Sequence, residues 1–273
     1  MPELPEVETV RQGLKQRLLG RTIKEAIIIY DGIIEYPSVK DFTTKIKNQT
    51  INDIERYGKW LMFLLDDYYL LSHLRMEGKY FIKDSKEEYK KHEHVIFKLD
   101  NKEDLRYMDV RKFGKMHLIK KEDIKDIGPL TSLGLEPWDE NLTITYLKDK
   151  YSKKKLPIKT VLLDQSIIVG IGNIYADEIL FLSQINPYTK AQALTDNDLK
   201  NIIKYTKKVL EQAIKEGGTT IRSYSSVNGV HGLFQQKLNV HSKEKEPCPI
   251  CKSSIIKVKI GGRGTYYCDK CQK

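Results

Sequence analysis

Two groups of residues in this 273-residue chain have the types and spacing to do chemistry, one at each end. The first is Pro2-Glu3. Initiator methionine is commonly removed before a small residue, which would leave Pro2 as a terminal secondary amine. Such an amine can attack an electrophilic sugar carbon and form an iminium. The cation then acts as an electron sink and promotes elimination at neighbouring carbons. Glu3 is placed to shuttle protons beside it, and Glu6 lies one helical turn on, near the positive end of the helix dipole. Taken alone, Met-Pro-Glu reads more simply as an acidic lead-in to a helix.

The second group is Cys248-x2-Cys251-x16-Cys268-x2-Cys271, which holds all four cysteines of the chain. Each pair can bend around one ion, and four thiolates complete a closed tetrahedral site, so the spacing predicts one structural Zn2+. Disulfides are an unlikely use for them in the cytoplasmic setting expected below. A zinc ribbon of this kind serves many functions and selects none.

The bulk composition sets the frame around these groups. At 40% hydrophobic and 31% charged residues, the chain reads as a folded protein with room for one large or two ordinary domains. No segment approaches a membrane span, and the acidic, proline-punctuated start is unlike a signal peptide, so the expected address is cytoplasmic. The net charge of +10 suits a polyanionic partner. Solubility alone would also account for it.

The elements that must position these residues follow from periodicity. Residues 5–18 read as a helix with Val7, Val10, Leu14 and Leu18 on one face. Short β-rich runs over about 22–30, 50–57, 60–65, 68–74, 79–82, 94–99, 104–109 and 114–120 suggest a sandwich or barrel. From about 135 the pattern turns helical, with Asp139–Tyr151, Ile158–Asp164, Asn173–Ser183 and Thr195–Lys215, the last ended by Gly217-Gly218. Asn173, after Gly170-Ile-Gly172, is a plausible N-cap at a helix start that would suit a phosphate. Residues 219–236, rich in Gly, Ser, Thr and Asn, suggest a mobile loop outside the core.

Several stretches together resemble the formamidopyrimidine-DNA glycosylase family. They are MPELPEVETV at the start, Arg56-Tyr-Gly-Lys59, His73-Leu-Arg-Met76-x-Gly78, Asp109-Val-Arg111-Lys-Phe113-Gly114, Gly170 through Glu178, Gly217-Gly-Thr-Thr220 and Gly261 through Cys268. The resemblance spans the chain and implies an α+β protein in three parts. Residues 1–134 would form a β-sandwich with the first helix. Residues 135–237 would hold a helix-two-turns-helix domain and a lesion-recognition loop, and residues 238–273 a zinc-finger β-hairpin. Double-stranded damaged DNA would lie in a basic cleft, and nothing asks for more than a monomer.

By the same resemblance, Pro2 would attack C1′ of the damaged nucleotide while Glu3 moves protons. Lys59 would assist β-elimination, and Arg263 would serve δ-elimination or clamp a phosphate, since arginine does not readily give up a proton. Met76, Arg111 and Phe113 match an intercalating triad that fills the gap left by an extruded nucleotide. His92, Lys154 and Asn173 match contacts to the DNA backbone. Without the family, these residues read as core Met and Phe, surface charges and a loop histidine. The activity implied is removal of oxidised purines followed by strand cleavage, with Met-Pro-Glu-Leu-Pro setting the chain apart from the pyrimidine-directed endonuclease VIII group. An endonuclease VIII-like glycosylase for oxidised pyrimidines and a zinc-dependent damaged-DNA-binding protein without catalysis are the competing readings. Lys112 replaces an arginine common in the family, and Val227–Leu233 looks variable, which leaves the lesion contacts open.

Overall fold

The computed structural model describes residues 1–219 and 232–273. Two compact units emerge. One is built from Met1–Ser132 and joined by Thr219, and the other from Leu133–Gly218 and Leu233–Lys273.

The first unit opens with α1 (Leu4–Leu18), where Glu3 and Glu6 form a reciprocal capping box and Pro5 occupies the first turn. Val7, Val10, Leu14 and Leu18 recur at helical spacing and are buried. They pack on two sheets. One has the order β1 (Ile23–Ile28), β7 (Glu93–Leu99), β8 (Glu103–Met108), β6 (Lys79–Asp84). The other runs β2 (Ile34–Tyr36), β9 (Lys115–Lys120), β5 (Tyr68–His73), β4 (Trp60–Leu64), β3 (Asp53–Tyr57). Phe63 and Leu70 of the second sheet share a core with Val95, Phe97 and Leu105 of the first. All the strand pairs are antiparallel except β2 with β9.

A bulge in β7 between Glu93 and Val95 carries Glu93 to the face of Arg106, away from the apolar core. There a fully buried Arg106 meets Glu93 at 3.1 Å and Asp104 at 3.0 Å. It also donates to the carbonyls of Asp84, Glu87 and Glu88. The helix α2 (Val39–Ile46), capped by Ser38 and anchored by buried Phe42 and Ile46, has no counterpart in the strand-rich sequence reading.

In the second unit, α3 (Ile144–Tyr151) begins five residues later than expected. Asp139 spends its carboxylate on a turn with Asn141, and Thr143 caps the helix by accepting Tyr146 N–H. α4 is a single turn (Ile158–Val161), shorter than the sequence suggests. α5 (Asn173–Ser183) is buried on nearly all sides and packs on α6 (Asp196–Lys215). Thr195 caps α6, and Gly217 and Gly218 end it at φ 71° and 79°. The hairpin of β10 (Ile256–Ile260) and β11 (Arg263–Tyr267) closes the chain.

Of the loop expected over 219–236, most lies outside the described residues. Its last part is not loop-like: Phe234 is buried against Tyr175 and belongs to the core, because an apolar ring next to the end of α6 has somewhere to go.

Candidate active site

Pro2 and Glu3 sit at the root of α1, both buried, with Met1 exposed beyond them. Glu6 does more than cap. Its Oε2 accepts Glu3 N–H at 2.8 Å, and its Oε1 accepts Thr219 N–H at 2.8 Å and the Thr219 hydroxyl at 3.1 Å. One carboxylate therefore fixes the backbone at Glu3 and holds Thr219, more than 200 residues away in sequence. The sequence reading gave Glu6 only its dipole role.

Lys59 occupies the second position of the tight β3–β4 turn, where Tyr57 pairs with Trp60 and Gly58 adopts φ 55°. A positive φ favours glycine there. Lys59 is only 6% exposed, which sets it apart from an ordinary surface lysine. Arg56 secures this turn to α1: it donates to Gly58 O at 3.1 Å and meets Glu8 at 3.3 Å. Burial would raise the Glu8 carboxyl, but hydrogen bonds from Arg11 and Gln12 and the charges of Arg11 and Arg56 bring it below the usual range. Through Glu8, Arg56 and Gly58, the element bearing Pro2 and Glu3 is tied to the one bearing Lys59. Next to that turn, burial together with the charges of Arg75 and Lys59 pushes the His73 imidazole down to about 3.

Arg111 and Phe113 are brought together, the guanidinium lying 4.8 Å from the ring centroid. Phe113 is 49% exposed, so this aromatic ring is offered to solvent and not to a core. Met76 is half-buried in the turn after β5. His92, at φ 73°, adjoins the Arg111 loop: its carbonyl accepts Asp109 N–H at 3.0 Å, and its ring lies 6.1 Å from that of His94. Lys112, also left-handed at φ 59°, lies over Tyr30 at 4.3 Å.

In the second unit, Asn173 is not the N-cap that the sequence suggests. Extended Gly172 caps α5, and Asn173 is its first helical residue. Its side chain reaches the hairpin instead, donating to Gly264 O at 2.9 Å, next to Arg263. Arg263 itself is exposed at the start of β11, after the Gly261-Gly262 turn. Lys154 pairs with Asp164 at 3.1 Å, away from the Asn173 side chain's own bond to the hairpin. Asn173 is fixed from below by Lys159, a fully buried cation whose Nζ donates to Asn173 O at 2.8 Å and to Asp177 at 2.5 Å. Asp177 also meets His241 Nδ1 at 2.6 Å. Glu178 accepts four bonds, from Asn239 N and Nδ2 and from the amides of Val240 and His241. Sequence reasoning quoted Asp177 and Glu178 within a motif, and it missed Lys159 and His241. A lysine after a β-branched residue gives no hint that it is buried.

The cysteine sulfurs of residues 248, 251, 268 and 271 all lie within 4.8 Å of one another. The Cys251–Cys268 and Cys248–Cys271 separations are 3.4 and 3.9 Å. Four sulfurs about 2.3 Å from one tetrahedral ion stand about 3.8 Å apart, so the set fits a metal held by thiolates. Phe181 of α5 packs with Cys248 and Cys268 in one apolar cluster, which joins the metal-binding end to the central helix.

Comparison with known proteins agrees along the whole chain. The formamidopyrimidine-DNA glycosylase N-terminal domain matches residues 1–116, the H2TH domain of the same proteins matches 133–225, and the zinc finger found in FPG and IleRS matches 245–273. The formamidopyrimidine-DNA glycosylases of Bacillus subtilis and Bacillus cereus are 47% and 46% identical over 273 residues, covering all of this chain and 99% of theirs. A Lactococcus lactis FPG mutant in complex with Fapy-dG-containing DNA superposes with a TM-score of 0.93 at 37% identity, over the full length of both chains. No helix among the described residues is long and apolar enough to cross a membrane. With its N-terminal sheets, its H2TH helices and a C-terminal zinc-finger hairpin flanked by four cysteines arranged to hold a structural metal, the chain belongs to the formamidopyrimidine-DNA glycosylase family of base-excision repair enzymes.

Proposed function

We propose that the chain excises oxidised purines from duplex DNA through Pro2 and then cleaves the strand at the site it has emptied. The observation that carries this reading is the buried Pro2-Glu3 start, with Glu3 N–H fixed by Glu6 and the α1 base tied through Arg56 to the Lys59 turn.

Removal of Met1 would free the Pro2 amine. Its lone pair forms the N–C1′ bond, and the glycosidic bond breaks with its electrons leaving on the base, which takes up the proton that the amine nitrogen gives up. Glu3 supplies a proton to the sugar-ring oxygen as the ring opens, leaving an iminium at C1′. Loss of a C2′ proton, assisted by Lys59 in this reading, then expels the 3′ phosphate as the β-elimination product. A second elimination expels the 5′ phosphate, with Arg263 as phosphate clamp or proton donor. Water hydrolyses the iminium and restores the amine. Met76, Arg111 and Phe113 would fill the space of the extruded nucleotide. His92, Lys154 and Asn173 would hold phosphates, Lys154 by leaving Asp164. The ion held by the four cysteines would be zinc; it would stiffen the hairpin under Arg263 and take no part in the bond changes. Residues 1–134, 135–237 and 238–273 would act as three functional parts of one monomer.

Borohydride trapping on 8-oxoguanine duplex, followed by peptide mapping of the adduct, tests this. The sugar is expected on Pro2, with trapping abolished in Pro2→Gly. An adduct on another residue, or neither adduct nor strand break with the wild type, would overturn the reading. The same duplex bound tightly without cleavage would favour a non-catalytic binder, and faster cleavage of thymine-glycol duplex would favour a pyrimidine-directed enzyme.

A further inference from the structure

We propose that Asp109 and Tyr107 form one buried anchor that sets the positions of Met76, Arg111 and Phe113. They would act as positioning residues for nucleotide extrusion, an inference that rests on the wedge role given to those three side chains above. Both anchor residues are 0% exposed, so neither can touch DNA itself. Asp109 Oδ1 accepts Arg111 N–H at 3.1 Å, and its Oδ2 accepts Gly114 N–H at 2.8 Å and the Tyr107 hydroxyl at 3.4 Å. Its backbone is held as well: His94 Nε2 lies 2.9 Å from Asp109 O, and Lys112 N–H reaches the same carbonyl at 3.3 Å.

A buried carboxylate needs donors, and here two of its donors are loop amides that point inward only when residues 109–114 keep this shape. The stability of the charge is therefore linked to the presentation of Arg111 and Phe113. The Tyr107 hydroxyl extends the anchor to the second loop. A Cβ placed on Gly114 would stand 1.7 Å from that hydroxyl, and one on Gly78 would stand 2.3 Å from it. Gly78 N–H closes the turn onto Leu74 O at 3.0 Å, with Met76 at its tip. Both wedge loops thus descend through a side-chain-free glycine onto one phenol. This accounts for the glycines that follow Met76 and Phe113 in the two motifs, for which the wedge chemistry alone gives no reason.

Asp109→Asn keeps the volume but turns an NH2 toward one side of the donor set, leaving one of the two loop amides unsatisfied. The test uses the full-length enzyme and compares kcat/KM on 8-oxoguanine paired with cytosine against the same lesion facing a one-nucleotide gap. The gap presents no orphaned base, so the wedge matters less there. Arg111→Ala calibrates the scale. We expect Asp109→Asn to lose about tenfold or more on the paired duplex and less than about threefold on the gapped one, and the double variant Asp109→Asn/Arg111→Ala to be no worse than the poorer single variant within about twofold. Equal losses on both substrates, or additive losses in the double variant, would overturn the anchor while leaving the wedge intact. If Arg111→Ala itself treats both substrates alike, the wedge reading falls and the anchor falls with it. Should Asp109→Asn fail to fold, Tyr107→Phe carries the question, since it removes only the hydroxyl. A smaller loss confined to the paired duplex supports the anchor, and a loss without that selectivity rejects it.

Discussion

His73 closes β5 with its ring 4.8 Å from that of Trp60 and its Nδ1 accepting Arg75 N–H at 2.9 Å. Its imidazole is held down to about 3, by burial first and then by the charges of Arg75 and Lys59, so it is neutral in the folded protein across the physiological range. In the unfolded chain it titrates near 6.5. Between those values the unfolded state binds the extra proton, so stability falls as pH drops from about 6.5 toward 3. His73→Gln should flatten this acid limb, by on the order of a few kcal/mol near pH 3, in urea melts taken at intervals from pH 7 down. An unchanged pH profile would show that the ring is not held neutral. At the proposed catalytic pair, Glu3→Gln should slow base excision by roughly 10²- to 10⁴-fold while duplex binding persists, checked by single-turnover excision and gel-shift titration. Pro2 and Glu3 stand out in the sequence by residue type and chain position, and only the resemblance across the whole chain lifts them above an acidic helix lead-in. The burial of Lys59 and His73 and the double duty of Glu6 are not legible there, because each depends on partners distant in sequence.

Helix α2 shows why some elements escaped a reading by periodicity. Its cues were present, with Ser38 three residues before Asp41 and Phe42 four residues before Ile46, but an eight-residue amphipathic stretch set among strands gives too short a period to stand out. The longer helices α1, α5 and α6 were legible because their apolar stripes run for three turns or more. The link between α5 and the segment leading to the hairpin was not. There Glu178 uses two oxygens to collect four donors from residues 239–241, beside the direct tie of Asn173 to Gly264. Glu178→Ala should cost several kcal/mol, since each buried donor left without its acceptor costs about 1–3 kcal/mol. Thermal melting should show that loss, and hydrogen exchange should place the lost protection at 239–241 and in the β10–β11 hairpin. Protection lost evenly over the whole chain would argue against a local tie.

Over the whole molecule, the charge of +10 bears on how the protein meets a polyanion. If phosphate neutralisation carries binding, the logarithm of affinity should fall linearly with the logarithm of salt, with a slope near −0.9 for each phosphate contacted. A response that stays flat between low and physiological salt would leave the excess charge to solubility. Chelating the cysteine-bound ion should disorder the hairpin and weaken binding, yet leave the N-terminal sheets folded, since their core contains none of the cysteine ligands. Circular dichroism and limited proteolysis, read alongside metal content, would detect the opposite result, a collapse of all secondary structure.

Thr219 has a practical consequence for anyone who would dissect the protein. The chain leaves the helical unit at Gly218, meets the Glu6 carboxylate at Thr219 and belongs to the helical unit again from Leu233. A cut at residue 133 is thus no cut between modules. The front fragment would keep Glu6 without the amide and hydroxyl that satisfy it, and the rear fragment would carry Thr219 without its acceptor.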